Sequence, residues 1–363
     1  MKLNGNYVYV ETQTELVKAY EEWSRSDILG IDIECENNLH HYDVQIALVQ
    51  ISSREKHWIV DIISIDDFSP VKEMLENTQI LKIFHDVNFD FEILNYQFGC
   101  RPRNVFDTEI AAVLLGKEEI GLGSILNNYF NVKKEKRFQK ADWTKRPLSK
   151  EMLSYAINDT TYLVNLYEVL VKELKEKNRF SWIEEEMHAI EKRKFSHRKN
   201  DVFSLKGLKN MTNGERAILK RLYVLRDNLA KKVDRPVHYI INSKKLVELA
   251  IEPPKTIGVW KSLKQVHPIV KANAEKFFFE VKKSIKETLP MPQKPKGKRF
   301  SISQRRHLEI LIEMRDKVAK KINIKPHMIM NKEQMQDVVA NGNNKSLKIW
   351  QKNLLRLNGD NSP

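Results

Sequence analysis

The sequence predicts an α/β domain followed by two small domains built only of helices. In the first 100 residues, strand patterns such as "ILGIDIE", "VQIALVQISS", "KHWIVDI" and "QILKIFHD" alternate with helical patterns. This alternation is typical of a central mixed sheet covered by helices. Between Thr108 and about Lys194 the pattern is mostly helical, and no convincing strand follows residue 200. We place the α/β domain at residues 1–195 and the helical domains at 210–290 and 300–357.

The helices of the first domain follow from periodicity and from their end signals. "QTELVKAYEEWS" has helical spacing, and "FDFEILNYQFG" does so up to Gly99, a residue that commonly terminates helices. "LSKEMLSYAINDTTYLVNLYEVLVKEL" is predicted to be one long amphipathic helix. Within it Tyr155 and Asp159 are four residues apart, so both would point the same way.

The two helical domains are predicted from an internal repeat. "LYVLRDNLAKKVDRP" resembles "LIEMRDKVAKKINIKP" at an offset of 89 residues, and one insertion later Trp260 pairs with Trp350. The segment between the copies, "LPMPQKPKGKR", is rich in Pro, Gly and Lys, as linkers are. The short tail "RLNGDNSP" leaves open whether the second copy is complete.

The charge distribution points to a polyanionic partner. Residues 201–363 carry 35 Lys and Arg against 15 Asp and Glu, whereas residues 1–200 carry 27 against 33. Basic surfaces attract nucleic acid, although lysine-rich helices can also serve only for solubility. The apolar runs are too short to span a membrane, and we expect no membrane association. With only Cys35 and Cys100, and no secretory signal pattern, we expect a cytoplasmic protein.

The stretch "LGIDIECE" places three acids on one face of a predicted strand. Asp32, Glu34 and Glu36 alternate with apolar residues, and side chains alternate between the faces of a strand. A D-x-E pair at a strand end is often merely solvated, and we expect Glu36 to be solvated beyond the strand. Likewise Asp90 alone could be a first-turn acid of a helix, Tyr155 a half-buried tyrosine and Asp159 a solvated residue. Gathered in one cleft, however, such carboxylates need compensating cations, and Mg²⁺ or Mn²⁺ prefer oxygen ligands.

The order D-x-E, H-x4-D and Y-x3-D resembles the DEDD superfamily of 3′–5′ exonucleases, in its tyrosine branch and within it ribonuclease D. The stretches that carry the resemblance are "GIDIECEN", "ALVQIS", "FHDVNFD", "FDTEIAAVLLG" and "KADWTKRPLSKEMLSYAINDTTYLVNLYEVL". The repeats resemble HRDC domains, which are small nucleic-acid-binding modules. The resemblance implies a ribonuclease H-like mixed sheet flanked by helices, and two divalent cations, Mg²⁺ or Mn²⁺, as cofactors. It also implies a set of metal ligands, namely Asp32, Glu34, Asp90 and Asp159.

The resemblance gives Tyr155 the role of orienting the attacking water. It selects Asp90 rather than Asp86, because the family's aspartate stands five residues after a histidine, here His85. We interpret His85 as a packing residue. Asp107 and Asp142 match family positions, and we interpret both as structural.

The implied activity is removal of 3′-terminal nucleotides as 5′-monophosphates by two-metal-ion hydrolysis. The implied partners are RNA 3′ ends, among them tRNA precursors, held by the basic C-terminal modules of a monomer. Two alternatives stay open. The chain could be an exonuclease of the same fold that acts on DNA, or a nucleic-acid-binding protein whose nuclease domain has lost activity.

Overall fold

The computed structural model describes residues 7–195, 201–284, 286–292 and 300–357. The chain forms two compact units. The first comprises Met1–Cys35, Ile46–Phe195 and Gly297–Pro363, and the second comprises Glu36–Gln45 and Ser196–Lys296. Among the described residues, no helix is both long enough and apolar enough to span a membrane.

A mixed sheet forms the centre of the first unit, as the sequence predicts. Its strands lie in the order β1-β4-β3-β2-β5-β6. β4 pairs parallel with β1 and antiparallel with β3, whereas β5 pairs parallel with both β2 and β6. The strands described are β1 (Tyr7–Val10), β2 (Ile28–Asn37), β3 (Val44–Ser52), β4 (His57–Asp61), β5 (Leu81–Phe84) and β6 (Val105–Asp107).

Helices surround this sheet. They are α1 (Gln13–Trp23), α2 (Ser69–Glu76), α3 (Val87–Phe98), α4 (Thr108–Leu115), α5 (Leu122–Phe130), α6 (Lys150–Asn158), α7 (Leu163–Glu176) and α8 (Phe180–Glu191). The prediction that α3 ends at Gly99 is confirmed, because Gly99 caps it in the left-handed conformation at φ 60°. The mixed sheet flanked by helices confirms the predicted fold class of this domain.

The single long helix predicted around Tyr155 is wrong, since α6 and α7 are separate helices. The hydroxyl of Thr161 donates to the carbonyl of Ile157 at 2.7 Å, and that of Thr160 does so at 3.3 Å. Such local side-chain bonds to the backbone compete with continuation of a helix. The chain therefore turns between residues 159 and 162, where the periodicity of the leucines gives no sign of a break.

The two helical repeats fold alike. The first copy contains α9 (Asn213–Lys232), α10 (Val237–Ile240), α11 (Ser243–Ile251), α12 (Ile257–Lys261), α13 (Pro268–Ala272) and α14 (Ala274–Ser284). The second contains α15 (Ile302–Ile322), α16 (Pro326–Ile329), α17 (Lys332–Asn341) and α18 (Ile349–Leu355). Trp260 of α12 and Trp350 of α18 are both buried, at 0% and 2% exposure. The predicted helical repeat is confirmed over four pairs of helices, namely α9 with α15, α10 with α16, α11 with α17 and α12 with α18.

An arginine repeats with the helices; it is buried in the first copy, as Arg226, and half-buried in the second, as Arg315. Arg226 Nη1 donates to the carbonyl of Ile241 at 3.1 Å, and Arg315 Nη1 donates to the carbonyl of Met330 at 3.2 Å. Both pairs lie at the same 89-residue offset. These arginines therefore fix the turn after the first helix of each copy, which explains the repeated Arg-Asp motif by packing.

The second copy packs on α8 of the α/β domain. The Glu185 carboxylate accepts the backbone N–H groups of Ile349 and Trp350 at 2.6 and 3.0 Å, which satisfies the first turn of α18. The Trp350 ring stacks on Trp182 with centroids 4.8 Å apart, and its Nε1 donates to Glu186 at 3.0 Å. The division of the chain into domains at residues 1–195, 210–290 and 300–357 stays a prediction. The structure adds that the last segment packs on the first.

Candidate metal centre

Strand β2 supplies the first two carboxylates. Ile31 and Ile33 are buried at 0% and 8% exposure and anchor one face of the strand in the core. Asp32 and Glu34 alternate with them in sequence and point to the other face, partly exposed to solvent. The predicted alternation is confirmed here, although Cys35 is only half-buried.

The expectation that Glu36 is solvated is wrong. The strand continues to Asn37, and Glu36 is 1% exposed. Its carboxylate accepts the backbone N–H groups of Leu39 and His40 at 2.5 and 2.8 Å, and His40 Nδ1 lies 3.0 Å away. These hydrogen bonds hold the turn after the strand against the Glu36 side chain. They compensate the loss of solvation of the buried Glu36 carboxylate.

The junction between α6 and α7 supplies Tyr155 and Asp159. Tyr155 lies in α6, and Asp159 is the C-cap one turn later; both are buried, at 8% and 5% exposure. The junction packs so closely against β2 that an added Cβ on Gly30 would lie 2.9 Å from Leu163 Cβ and 3.1 Å from the carbonyl oxygen of Thr160. Gly30 thus allows the contact that places Asp159 beside the strand carrying Asp32.

Three of the four predicted ligands converge. One carboxylate oxygen from each of Asp32, Glu34 and Asp159 lies within 4.8 Å of the others. Asp90, in the first turn of α3, is 7% exposed and is not part of this set. Its charge nevertheless acts on the set, because repulsion from Asp90 adds to the effect of burial in raising the pKa of Glu34.

The start of α3 is held by Asp107 rather than by its own cap. Asp86, the N-cap, is left-handed at φ 60° and makes no side-chain cap bond. Instead the Asp107 carboxylate accepts the backbone N–H groups of Asp86 and Val87 at 3.2 and 2.9 Å, and also caps α4. This agrees with the structural interpretation of Asp107. It also gives Asp107 a part in placing Asp90.

His85 is packed, as expected. Its Nδ1 lies 2.9 Å from the Thr108 hydroxyl, which itself donates to the carbonyl of Phe84 at 3.0 Å. Burial, together with the nearby charge of Lys134, lowers the pKa of His85 to about 4. His85 is therefore neutral at physiological pH, with Nδ1–H donating to Thr108.

The pKa values show how poorly the carboxylate charges are compensated. Burial raises the pKa values of Asp32, Glu34 and Asp90, and repulsion from Asp32 adds to the effect on the other two. Burial raises the pKa of Asp159 to about 7, again with a contribution from Asp32. Mutual repulsion of this kind is what a bound cation relieves.

The Tyr155 phenol is held by aromatic rings. Trp143 packs against it at 6.0 Å between centroids, and Phe138 contacts it edge-on at 5.7 Å. Burial, with the negative charges of Asp159 and Glu34, raises the pKa of Tyr155 above its usual value. The phenol is therefore protonated at neutral pH and can donate a hydrogen bond.

The "DWTKRPLS" segment is fixed to the sheet by a buried ion pair. Arg146 contacts both carboxylate oxygens of Asp61 through Nε and Nη2, and its Nη1 donates to the carbonyl of Trp143 at 2.7 Å. Asp61 is 1% exposed and also accepts from the Tyr9 hydroxyl at 2.5 Å. Burial opposes ionisation of Asp61, but the hydrogen bonds from Arg146 and Tyr9 outweigh it, and the pKa lies below its usual value.

Lys134 enters the site although the motifs do not include it. Its Nζ lies 2.7 Å from Asp159 Oδ1 and 5.6 Å from the centroid of the Tyr155 ring. The contact is an ion pair, and Asp159 Oδ1 has no further hydrogen-bond partner among the described residues. The signal available in the sequence was the basic run "VKKEKRFQK" directly before the "DW" motif in an otherwise acidic half.

The donors present fit a hard divalent cation. All are carboxylate oxygens, which Mg²⁺ and Mn²⁺ prefer, and one of them is a buried oxygen without a hydrogen bond. The rigid strand β2 carries two of the three converging ligands. The arrangement can therefore hold a cation beside a protonated tyrosine.

Comparison with known proteins identifies two domains. Residues 7–175 match the family model described as 3′–5′ exonuclease, and residues 215–281 match the HRDC domain model. The exosome complex exonuclease RRP6 of Saccharomyces cerevisiae is 29% identical over 74% of this chain and 39% of its own length. Ribonuclease D of Zymomonas mobilis is 34% identical over 64% of this chain and 60% of its own. The chain thus spans less than two thirds of either relative.

A solved structure has the same fold over most of the chain. Escherichia coli RNase D, described as an exoribonuclease involved in structured RNA processing, superposes with a TM-score of 0.71 and 21% identity. The match covers 97% of this chain and 99% of the other. At this identity the likeness shows the fold of the chain. Residues 7–175 thus match a 3′–5′ exonuclease domain, residues 215–281 match an HRDC domain, and the chain is similar to ribonuclease D.

Proposed function

We propose that this chain is a metal-dependent 3′–5′ exoribonuclease of the ribonuclease D type. The observation that carries the proposal is the convergence of Asp32, Glu34 and Asp159 within 4.8 Å, with Tyr155 one helical turn from Asp159. The acids come from a strand and from a helix junction far apart in the sequence. Their convergence, which the ammonium of Lys134 compensates only in part, is what cation-dependent phosphodiester hydrolysis requires.

Each residue has a proposed task. Asp32, Glu34, Asp90 and Asp159 hold two divalent cations, Mg²⁺ or Mn²⁺, which when bound would activate water and stabilise the departing 3′-oxygen. The Tyr155 Oη–H donates a hydrogen bond that orients the attacking water. The Trp143 and Phe138 rings hold the phenol in place and exclude bulk water from its flank. The product is a nucleoside 5′-monophosphate.

We propose that the substrates are RNA 3′ ends, tRNA precursors among them, that the protein acts as a cytoplasmic monomer, and that the basic helical modules hold the RNA. The name of the Zymomonas mobilis relative supports RNA as the substrate. The excess of Lys and Arg after residue 200 supports backbone contacts by the modules.

Charge substitution tests the role of the first module better than truncation does. Removal of everything after residue 210 would also uncover Trp182, which packs on the second copy. Lys220 and Lys276 are exposed and line one groove between α9 and α14. Changing both to Glu should weaken RNA binding and reduce its salt dependence, with cleavage chemistry intact. Equal salt slopes for variant and parent would contradict RNA contact at this groove.

The activity is tested on single-stranded RNA and matched DNA, labelled at the 5′ or the 3′ end, with Mg²⁺, Mn²⁺ or EDTA. We expect stepwise shortening of 5′-labelled RNA, immediate release of the 3′ label as a mononucleotide, and loss of both in EDTA. Asp32→Ala should abolish degradation, whereas Asp66→Ala, which removes an exposed carboxylate of the same domain, should not. Degradation by Asp32→Ala at the parent rate would contradict the site assignment. Faster degradation of DNA than of RNA would favour a DNA exonuclease.

A further inference from the structure

Lys134 is a partly buried cation beside the proposed metal ligands. It lies in the irregular segment between α5 and α6, and its side chain is 17% exposed. Its ammonium is 2.7 Å from Asp159 Oδ1, a carboxylate that is itself 5% exposed. The same ammonium lies over the Tyr155 ring at 5.6 Å. Lys134 therefore contacts one proposed ligand and lies beside the proposed water-orienting residue.

The inward direction of Lys134 is particular to this residue. The neighbouring Lys133 and Lys136 belong to the same basic run but are exposed. The segment follows α5 closely, since the Val132 N–H donates to the carbonyl of Leu126 at 3.3 Å. Nearby, an added Cβ on Gly123 would lie 3.4 Å from Lys134 Cβ. The backbone thus fixes where this side chain starts, and only this lysine of the run points into the carboxylates.

The charge of Lys134 acts on the three converging carboxylates. Against the effect of burial, it lowers the pKa values of Asp32, Glu34 and Asp159. It therefore supplies part of the compensation that a divalent cation would supply. A hard dication and an ammonium both seek the same carboxylate oxygens, and the oxygen nearest Lys134 has no hydrogen bond among the described residues.

Resting on the metal-dependent function proposed above, we propose that Lys134 competes with divalent cations for Asp159 and so sets the cation affinity of the site. Binding of the cation displaces the ammonium from Asp159 Oδ1. Lys134 is thus a residue that tunes metal binding by contact with a ligand. Its role is distinct from those of the carboxylates themselves.

The test is direct measurement of Mn²⁺ binding by titration calorimetry and by electron paramagnetic resonance of free Mn²⁺, without substrate. Lys134→Met removes the charge but keeps an apolar stem of similar length. Lys134→Arg keeps the charge, and Lys133→Met is the matched control for an exposed lysine of the same run. We expect Lys134→Met to lower the Mn²⁺ Kd by about tenfold or more, the ratio that corresponds to one pKa unit of charge interaction. Lys134→Arg should stay within about threefold of the parent, since Arg keeps the positive charge, and Lys133→Met should bind like the parent.

Thermal unfolding gives a second readout. Without metal, Lys134→Met should unfold at a lower temperature than the parent, because the three converging carboxylates lose their compensating charge. Saturating Mn²⁺ should restore the unfolding temperature of the variant, so the Mn²⁺-induced increase in Tm should be larger in Lys134→Met than in the parent. Equal or weaker Mn²⁺ binding by Lys134→Met overturns the inference and leaves the metal-dependent function standing. Absence of Mn²⁺ binding in parent and variant alike would overturn both.

Discussion

Replacing Arg146 by Met tests whether the "DWTKRPLS" segment is held by its buried ion pair. The substitution keeps most of the apolar stem but removes the guanidinium that contacts both carboxylate oxygens of Asp61. Because Asp61 is 1% exposed, its charge would then be buried with the Tyr9 hydroxyl as its remaining side-chain donor among the described residues. Breaking a buried pair in this way typically costs about 3–5 kcal/mol, and we expect a loss of unfolding free energy in that range.

The pH dependence of this loss gives the stricter test. In the parent, the pKa of Asp61 lies below its usual value of 3.8, so the ion pair stabilises the fold above pH 3.8 and is lost below the folded pKa. In Arg146→Met, burial would instead raise the pKa of Asp61. The buried acid then takes up a proton as pH falls. The stability difference between parent and variant should therefore shrink between pH 7 and pH 4.

A double-mutant cycle completes the assay. Unfolding by guanidinium chloride is followed for parent, Arg146→Met, Asp61→Asn and the double variant at pH 4, 5.5 and 7. We expect the double variant to be more stable than Arg146→Met at pH 7, because no charge is left unpaired. RNA degradation should also slow in Arg146→Met, since Trp143 loses a hydrogen bond and packs on Tyr155. A loss below about 1 kcal/mol that does not change with pH would refute the reasoning, because it falls in the range of a surface pair.

Three further predictions concern other parts of the structure. Gly30→Ala should lower the free energy of unfolding by about 1–3 kcal/mol through overpacking, because the added Cβ would be 2.9 Å from Leu163 Cβ. It should also slow RNA degradation by more than the loss of folded protein accounts for, and parent-like activity in the folded variant would contradict this. Trp350→Ala should lower the free energy of unfolding by about 3–5 kcal/mol and lower the Tm, because it removes the stack on Trp182. An unchanged Tm would argue against the packing on α8. Burial lowers the pKa of Lys82 from 10.5 to about 8, so its charged form destabilises the fold fully below pH 8 and less as pH rises to 10.5. Relative to Lys82→Met, the parent should gain about 2–3 kcal/mol between pH 7.5 and 10.5 in denaturant unfolding, and a constant difference would be inconsistent with this shift.

Local patterns predicted much of the fold and most of the candidate site. Alternation along β2 predicted that Asp32 and Glu34 point to the same face of the strand. The four-residue spacing of Tyr155 and Asp159 predicted that both point the same way from α6. The repeat predicted two helical modules. These succeed because a strand period, a helix period and a sequence repeat are each visible within a short window.

The failures all depend on contacts between distant segments or on local bonds that leave periodicity unchanged. Glu36 is buried because the turn after β2 folds back to it, and the break before α7 arises from hydroxyl groups at Thr160 and Thr161. In the sequence, nothing distinguishes Lys134 from a solvated lysine, because its contact with Asp159 depends on the path of the segment between α5 and α6. The packing of Trp350 on α8 joins residues more than 160 positions apart. No single-sequence pattern encodes such pairings.

The most direct test of the central claim is anomalous diffraction from crystals soaked in Mn²⁺, recorded at the manganese absorption edge. The structure predicts an anomalous peak within coordination distance of oxygens from Asp32, Glu34 and Asp159, with the Lys134 ammonium moved away from Asp159 Oδ1. The same crystals of Asp159→Asn should show a weaker peak or none. A fully occupied Mn²⁺ elsewhere in the domain, with these carboxylates free of metal at millimolar Mn²⁺, would contradict the account.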